Sequence, residues 1–159
     1  MNTKANLAER EVALKVVIAE GTPNADNPED VIDSAALKDM DALIHLSGEN
    51  ISTGLSGPLA PVGIRPWTDE KKKEIIDSRV ITTSALSKAL VSSKKKLSFL
   101  VASGVGAYGP NFFAGGAEAA DESPDISQSE GFLAEVSQQW EGASEEAKKS
   151  GSRVVNLRN

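Results

Sequence analysis

The chain contains no cysteine. Disulfides, zinc–thiolate centres and a cysteine nucleophile are therefore excluded, and the redox compartment is unconstrained. No apolar run is long enough to cross a bilayer. The N-terminal stretch MNTKANLAEREVALKVV is charged and lacks the apolar stretch and cleavage site of a secretory signal. These readings exclude a membrane span and leave the compartment open between cytoplasm and organelle. Basic charge is in deficit: 17 Lys and Arg stand against 23 Asp and Glu, a net charge of −6, which disfavours a nucleic-acid partner. Histidine and tyrosine occur once each, as His45 and Tyr108. Chemistry that needs an imidazole or a phenol has one candidate apiece.

What is present suits a soluble globular protein. The 159 residues are 40% hydrophobic and 25% charged, enough for one domain with a real core. Two triple-lysine runs, Lys71–Lys73 and Lys94–Lys96, read as a solvated helix face and a solvated loop.

Apolar patterning predicts four strands alternating with three helices. VALKVVIA, from Val12 to Ala19, is β-branched enough for the first strand. A short helix follows over PEDVIDSAALKD, with Asn27 as its cap and Pro28 at its first position. DALIHLSG is a near-continuous apolar run and predicts a strand buried on both faces. The long loop from Asn50 to Pro66 carries three glycines and three prolines. Thr68 then caps a helix running to about Ser92, with Lys72, Ile76, Val80, Thr83 and Leu90 near one stripe. Leu97 to Ser103 reads as a buried strand. A second glycine-rich loop extends from Gly104 to Ser129. Phe132, Leu133, Val136, Trp140, Ala143 and Ala147 recur at steps of three and four, the clearest amphipathic helix, which Gly151 stops. RVVNLR is the last strand. Alternation of this kind predicts an α/β fold, a parallel sheet with flanking helices. The long loops leave the carboxyl ends of the second and third strands, where open α/β sheets bind ligands.

Gly104, Gly106 and Gly109 have the spacing G-x-G-x-x-G after a predicted strand. A dinucleotide fingerprint also needs a helix opening within the glycine turn, whose N–H groups hold the pyrophosphate. PNFFAGGAEAADESPD follows instead, so the spacing does not read as a phosphate turn here.

DALIHLSGENI, RPWTDEKKKEIIDSRVITTSALSKAL, LVASGVGAYG and GFLAEVSQQWE occur in the order and spacing of one group of proteins. In these motifs the chain resembles the epimerase-like branch (family 39U) of the extended short-chain dehydrogenases/reductases, over roughly Asp26 to Arg158. The resemblance implies a Rossmann-like sheet, NADP(H) as cofactor, and hydride transfer on a small hydroxyl or carbonyl compound. It places Leu46, Ser47 and Gly48 beside the cofactor. Arg79, with Thr82 and Thr83, would face the same mouth, Arg79 pairing with a phosphate or carboxylate. Ser103 would hydrogen-bond a substrate oxygen. Apart from the resemblance, Tyr108 reads as a candidate proton donor because it is the single tyrosine, with no lysine near it in sequence.

The chain also departs from that pattern. Gly21 is the only glycine before Gly48, so no glycine-rich βα turn precedes it. Gly131 to Glu141, where a Tyr-x-x-x-Lys pair would lie, has neither tyrosine nor lysine. These departures lead to the expectation of a single partial domain, short at both ends, lacking the first βαβ unit and the C-terminal substrate portion. They also keep a second function in view: an inactive Rossmann-like module for ligand sensing or protein interaction. Among the remaining polar residues, His45 reads as a packed core histidine rather than a catalytic one. Glu49 reads equally as a ribose or substrate ligand and as a solvated loop acid. Asp121, Glu122 and Asp125 read as a solvated acidic loop, so no metal is expected. Trp67 and Trp140 read as packing residues, Trp67 with some prospect of lining a pocket.

Overall fold

The structure, a computed structural model, describes residue 32 and residues 36–51, 67–110 and 125–159. The predicted strand Val12–Ala19, most of the long loop after Asn50, and Asp121 and Glu122 lie outside the described residues.

Among the described residues, three strands form one parallel sheet in chain order: β1 (Ala42–His45), β2 (Ser98–Ser103) and β3 (Arg153–Arg158). Helix α1 (Asp69–Ser93) connects β1 to β2, and α2 (Phe132–Gly142) with α3 (Glu145–Lys149) connects β2 to β3. This is the α/β arrangement with flanking helices that the alternation predicts.

Parallel register sets which side chains share a face. Leu43 pairs with Phe99 and Phe99 with Val154; His45 pairs with Val101 and Val101 with Asn156; Ser103 pairs with Arg158. Side chains two apart on a strand share a face. These rows therefore stack on one face of the sheet, apolar first and increasingly polar toward the carboxyl ends. The core lies under this face. Phe99 and Val101 are fully buried against Ala85, Leu86, Ala89 and Leu90 of α1, Trp140 of α2 and Ala147 of α3. Each large apolar side chain buried here contributes roughly 1.5–3 kcal/mol.

Buried hydrogen bonds lock the helices together. The Trp140 indole N–H donates to Thr83 Oγ1 at 3.0 Å, and the Ala147 amide donates to Ser87 Oγ at 2.8 Å. Both pairs tie the second connection to α1.

The predicted helix over Pro28–Asp39 lies mostly outside the described residues; Ala36–Asp39 forms one 3-10 turn. Four other expectations need correction. β1 is not buried on both faces: Ile44 is 54% exposed, as is Leu46 just beyond it at 65%, because among the described residues the helices cover the face that carries Leu43 and His45. In α1, Thr68 does cap, accepting from the Lys71 amide at 3.2 Å. The buried stripe, however, runs through Ile75, Thr83, Leu86 and Leu90, with Lys72, Ile76 and Val80 beside it. Finally, the predicted single helix after Phe132 breaks at Ala143–Ser144 into α2 and α3. Gly142 is a poor helix former, and the Ser144 hydroxyl donates to the Glu141 carbonyl at 2.7 Å, competing with the helical ladder. Leu133, expected on the apolar stripe, is exposed.

Candidate functional site at the carboxyl ends of the sheet

β1 and β2 end side by side. His45 is opposite Val101, so Ser47 and Ser103 are each two residues past a paired position, at the same end of the sheet. Two polar clusters stand there, one on each side of the α2 residues Trp140 and Glu141.

The first cluster is built on the segment that leaves β1. The Glu49 amide donates to Ser78 Oγ at 2.9 Å, and Lys71 Nζ lies 2.5 Å from Glu49 Oε1. That contact raises the Lys71 pKa. Arg79 reaches across from α1. Its Nη2 donates to the Glu49 carbonyl at 3.0 Å and its Nη1 to the Ile75 carbonyl at 3.0 Å, while its guanidinium carbon lies 4.9 Å from the Trp140 ring. A Cβ at Gly48 would sit 2.9 Å from that carbon, so only glycine lets the guanidinium lie against the backbone. Burial lowers the Arg79 pKa, with the Glu49 charge opposing. Of the residues expected here, Ser47, Gly48, Glu49 and Arg79 do come together. Leu46 is exposed beside them. Thr82 Oγ1 donates to the Ser78 carbonyl at 3.1 Å. Thr83 is fully buried, its hydroxyl holding the Trp140 indole, which places it in the core rather than at the mouth.

His45 is buried beside this cluster, with its ring edge toward Trp140 at a centroid distance of 6.4 Å. Its Nδ1 is 3.2 Å from Ser47 Oγ, and its Nε2 is buried with no hydrogen-bond partner. Burial, with a smaller push from the Arg79 charge, lowers its pKa to about 4. The imidazole is neutral at neutral pH; it is packed as expected, with its hydrogen bond at Nδ1 alone.

The second cluster joins four elements. Ser103, at the end of β2, donates to Glu141 Oε1 at 2.8 Å. Arg158, at the end of β3, forms a bidentate pair with the same carboxylate, Nε to Oε1 at 2.8 Å and Nη2 to Oε2 at 2.9 Å. Asn156 Nδ2 adds a fourth bond to Oε2 at 3.3 Å. Arg158 also faces Tyr108: Nη1 donates to the phenol oxygen at 3.4 Å, and the guanidinium carbon is 5.2 Å from the ring centroid. Tyr108 ends a 3-10 turn, Val105–Tyr108, whose first amide donates to the Asn159 carbonyl at 3.0 Å. The Glu141 bond raises the Arg158 pKa above its ordinary value, burial opposing and Tyr108 adding a further hydrogen bond. An open groove of about 430 Å³ borders the cluster, lined by Ser127, Gln138, Glu141, Lys148, Asn156 and Arg158 among others.

The glycine motif now has a structural explanation. A Cβ on Gly106 would lie 2.8 Å from Leu133 Cβ, and Gly109 has φ +79°. These glycines let the turn pack on α2 and reverse direction; a single 3-10 turn follows Gly104, with no α-helix opening there. Trp67 donates to the Ile51 carbonyl at 2.8 Å and packs on Phe132 at 5.2 Å, a loop-to-helix staple. Asp125 caps its own turn by accepting from the Ser127 amide at 2.9 Å, which lowers its pKa. Among the described residues, no group of three or more His, Asp and Glu is placed to hold a metal ion, and no helix is long and apolar enough to cross a membrane.

Glu141 and Arg158 were not expected from sequence. Glu141 sits at the end of the quoted motif GFLAEVSQQWE, and that position was the available signal. Arg158 becomes visible only when β2 and β3 are aligned.

A three-stranded parallel sheet, covered by helices on one face and ringed with polar groups at its carboxyl ends, defines a partial Rossmann-like α/β fold. Known proteins agree. An epimerase family protein of Mycobacterium leprae is 35% identical over 133 residues, covering 83% of this chain and 38% of the relative. Epimerase family proteins of Mycobacterium bovis and Mycobacterium tuberculosis are each 35% identical over 135 residues, with the same coverage. The crystal structure of a nucleoside-diphosphate sugar epimerase from Corynebacterium glutamicum aligns with a TM-score of 0.53 at 29% identity, covering 79% of this chain and 23% of that one. No family model matches the chain. Over these residues the chain is similar to epimerase family proteins and to a sugar epimerase, in keeping with the resemblance carried by its motifs. It spans about 38% of the length of the curated relatives it matches.

Proposed function

We propose that the chain carries the strand-end half of a nicotinamide-dependent epimerase or oxidoreductase site, acting on a small hydroxyl or carbonyl compound. The observation that supports it best is the convergence of Ser103 and Tyr108 on one polar cluster at the carboxyl ends of a parallel sheet. The Corynebacterium glutamicum neighbour is named for a nucleoside-diphosphate sugar, and a sugar offers both hydroxyl and latent carbonyl groups. In this reading Ser103 contacts a ligand oxygen and Tyr108 supplies or takes its proton. Leu46, Ser47, Gly48 and Glu49 form the neighbouring wall, braced by Arg79; NADP(H) is the cofactor the resemblance implies. Thr83, buried in the core, takes no part.

The described residues do not fit the pyrophosphate of a dinucleotide. They include no glycine-rich turn that opens an α-helix, and the Nη atoms of Arg79 already bond the chain's own carbonyls. What the residues offer a cofactor is the close backbone approach at Gly48. Nicotinamide would supply hydride chemistry; the chain's own groups would position the ligand and handle its proton.

Titrating the purified chain with NADPH, followed by nicotinamide fluorescence, tests the reading. Saturable binding below millimolar NADPH, looser than a site that also holds the pyrophosphate and weakened further by Arg79→Ala, which removes the brace of the Gly48 wall, is the expected result. No saturation at millimolar NADPH would overturn it. That outcome would favour a non-catalytic ligand-sensing or interaction module, a reading supported by the lack of tyrosine and lysine over Gly131–Glu141.

A further inference from the structure

We propose that Glu141 and Arg158 are positioning residues for Tyr108 and Ser103: Arg158 offers the phenol a fixed cation, and Glu141 holds both Arg158 and the Ser103 hydroxyl in place. This rests on the reading of Ser103 and Tyr108 as the ligand-facing pair.

The geometry carries it in three steps. A guanidinium engaged at Nε and Nη2 by one carboxylate cannot swing freely. Arg158 is held in this way by Glu141, at 2.8 and 2.9 Å, and its backbone is held by the sheet opposite Ser103. Its remaining nitrogen, Nη1, is directed at Tyr108 Oη. The turn that carries Tyr108 is tied to the residue after Arg158 by the Val105–Asn159 backbone bond, so phenol and guanidinium are positioned by one rigid unit. When the Tyr108 O–H bond breaks and the proton passes to a ligand oxygen, the phenolate left behind faces a charge that is already in place, with no need for solvent to reorganise.

Glu141 has a second consequence. Because the Ser103 hydroxyl donates its proton to Oε1, its oxygen keeps lone pairs for a further donor. Ser103 then accepts a hydrogen bond from a ligand hydroxyl rather than donating one to a carbonyl. The site is thereby biased toward ligands that offer an alcohol O–H at that point.

Tyr108 is the chain's only tyrosine, so nitration by tetranitromethane, which proceeds through the phenolate, reports on it alone. The charges predict opposite responses. Arg158→Gln removes the cation and leaves the Glu141 anion nearby, so nitration at mildly alkaline pH slows by roughly threefold or more. Glu141→Gln leaves the cation uncompensated, so nitration accelerates by a similar factor. Arg158→Lys keeps the charge and restores a rate near that of the unmodified chain. Loosened packing would speed nitration in both glutamine variants, so a shift of both in the same direction, or no shift in either, overturns the proposal. Circular dichroism identifies any variant that fails to fold, and Arg158→Lys against Glu141→Asp then carries the comparison: near-normal rates in both are expected, and equal acceleration in both refutes. NADPH titration of the same samples separates the two readings. Opposite nitration shifts without NADPH binding would sink the enzyme reading and leave the charge pairing intact; binding with no nitration shift would do the reverse.

Discussion

Acidification tests the environment of His45 directly. The imidazole is 4% exposed, its Nε2 has no partner, and its pKa is lowered from 6.5 to about 4, by burial first and then by the Arg79 charge. In the unfolded chain the ring takes up a proton near its ordinary value, so between 6.5 and about 4 the unfolded state binds more protons than the folded one. The stability this group allows is thus fully present above pH 6.5 and is lost as pH falls toward 4. Between about pH 7 and about pH 4.5 the loss amounts to about 2.5 kcal/mol. Carboxylates titrate in the same window, so the measurement must be a difference. Urea unfolding followed by tryptophan fluorescence, on the natural chain and on His45→Leu, supplies it. The leucine variant should gain about 2.5 kcal/mol on the natural chain over that interval. Arg79→Met, which removes the second cause, should recover only a minor part. Parallel pH curves for the natural chain and His45→Leu would show that the ring is solvated or partnered, and would refute the account of this end of the sheet.

Two further substitutions probe how the clusters are held. Thr83→Val leaves the Trp140 indole N–H without its buried acceptor, and should cost about 1–3 kcal/mol of stability in urea unfolding; an unchanged midpoint would show that the indole finds another partner. Gly106→Ala places a Cβ 2.8 Å from Leu133 Cβ, a contact with no flexible end to yield. It should destabilise by about 1–3 kcal/mol; a neutral effect would show that the turn does not pack on α2 as described.

The sequence made some of this legible and hid the rest for physical reasons. Ser98–Ser103 was readable because a buried parallel strand is a short apolar run bounded by turn residues, and the half-buried Arg153–Arg158 because Val154 and Val155 are β-branched and follow a glycine stop. The cap at Thr68 was readable because it acts within one turn. The break at Ser144 was not, because the apolar steps of three and four continue through it while a local hydroxyl–carbonyl bond interrupts the ladder. The exposure of Ile44 was not, because an apolar run records hydrophobicity and not what covers each face.

The glycine spacing and the Glu141–Arg158 pair show the same limit from opposite sides. Gly104, Gly106 and Gly109 match a phosphate fingerprint in spacing, yet the side chain that requires Gly106 is Leu133, a residue 27 positions further along the chain. Arg158 matches no motif, yet parallel register sets it opposite Ser103, 55 positions earlier. Both relations are fixed by pairing between distant segments, and neither leaves a mark within a short window. Motif spacing therefore placed the glycines just past the carboxyl end of β2, since strand ends and loops are local features. The cation that faces the only phenol comes from a strand edge instead, and follows from the register of β2 on β3.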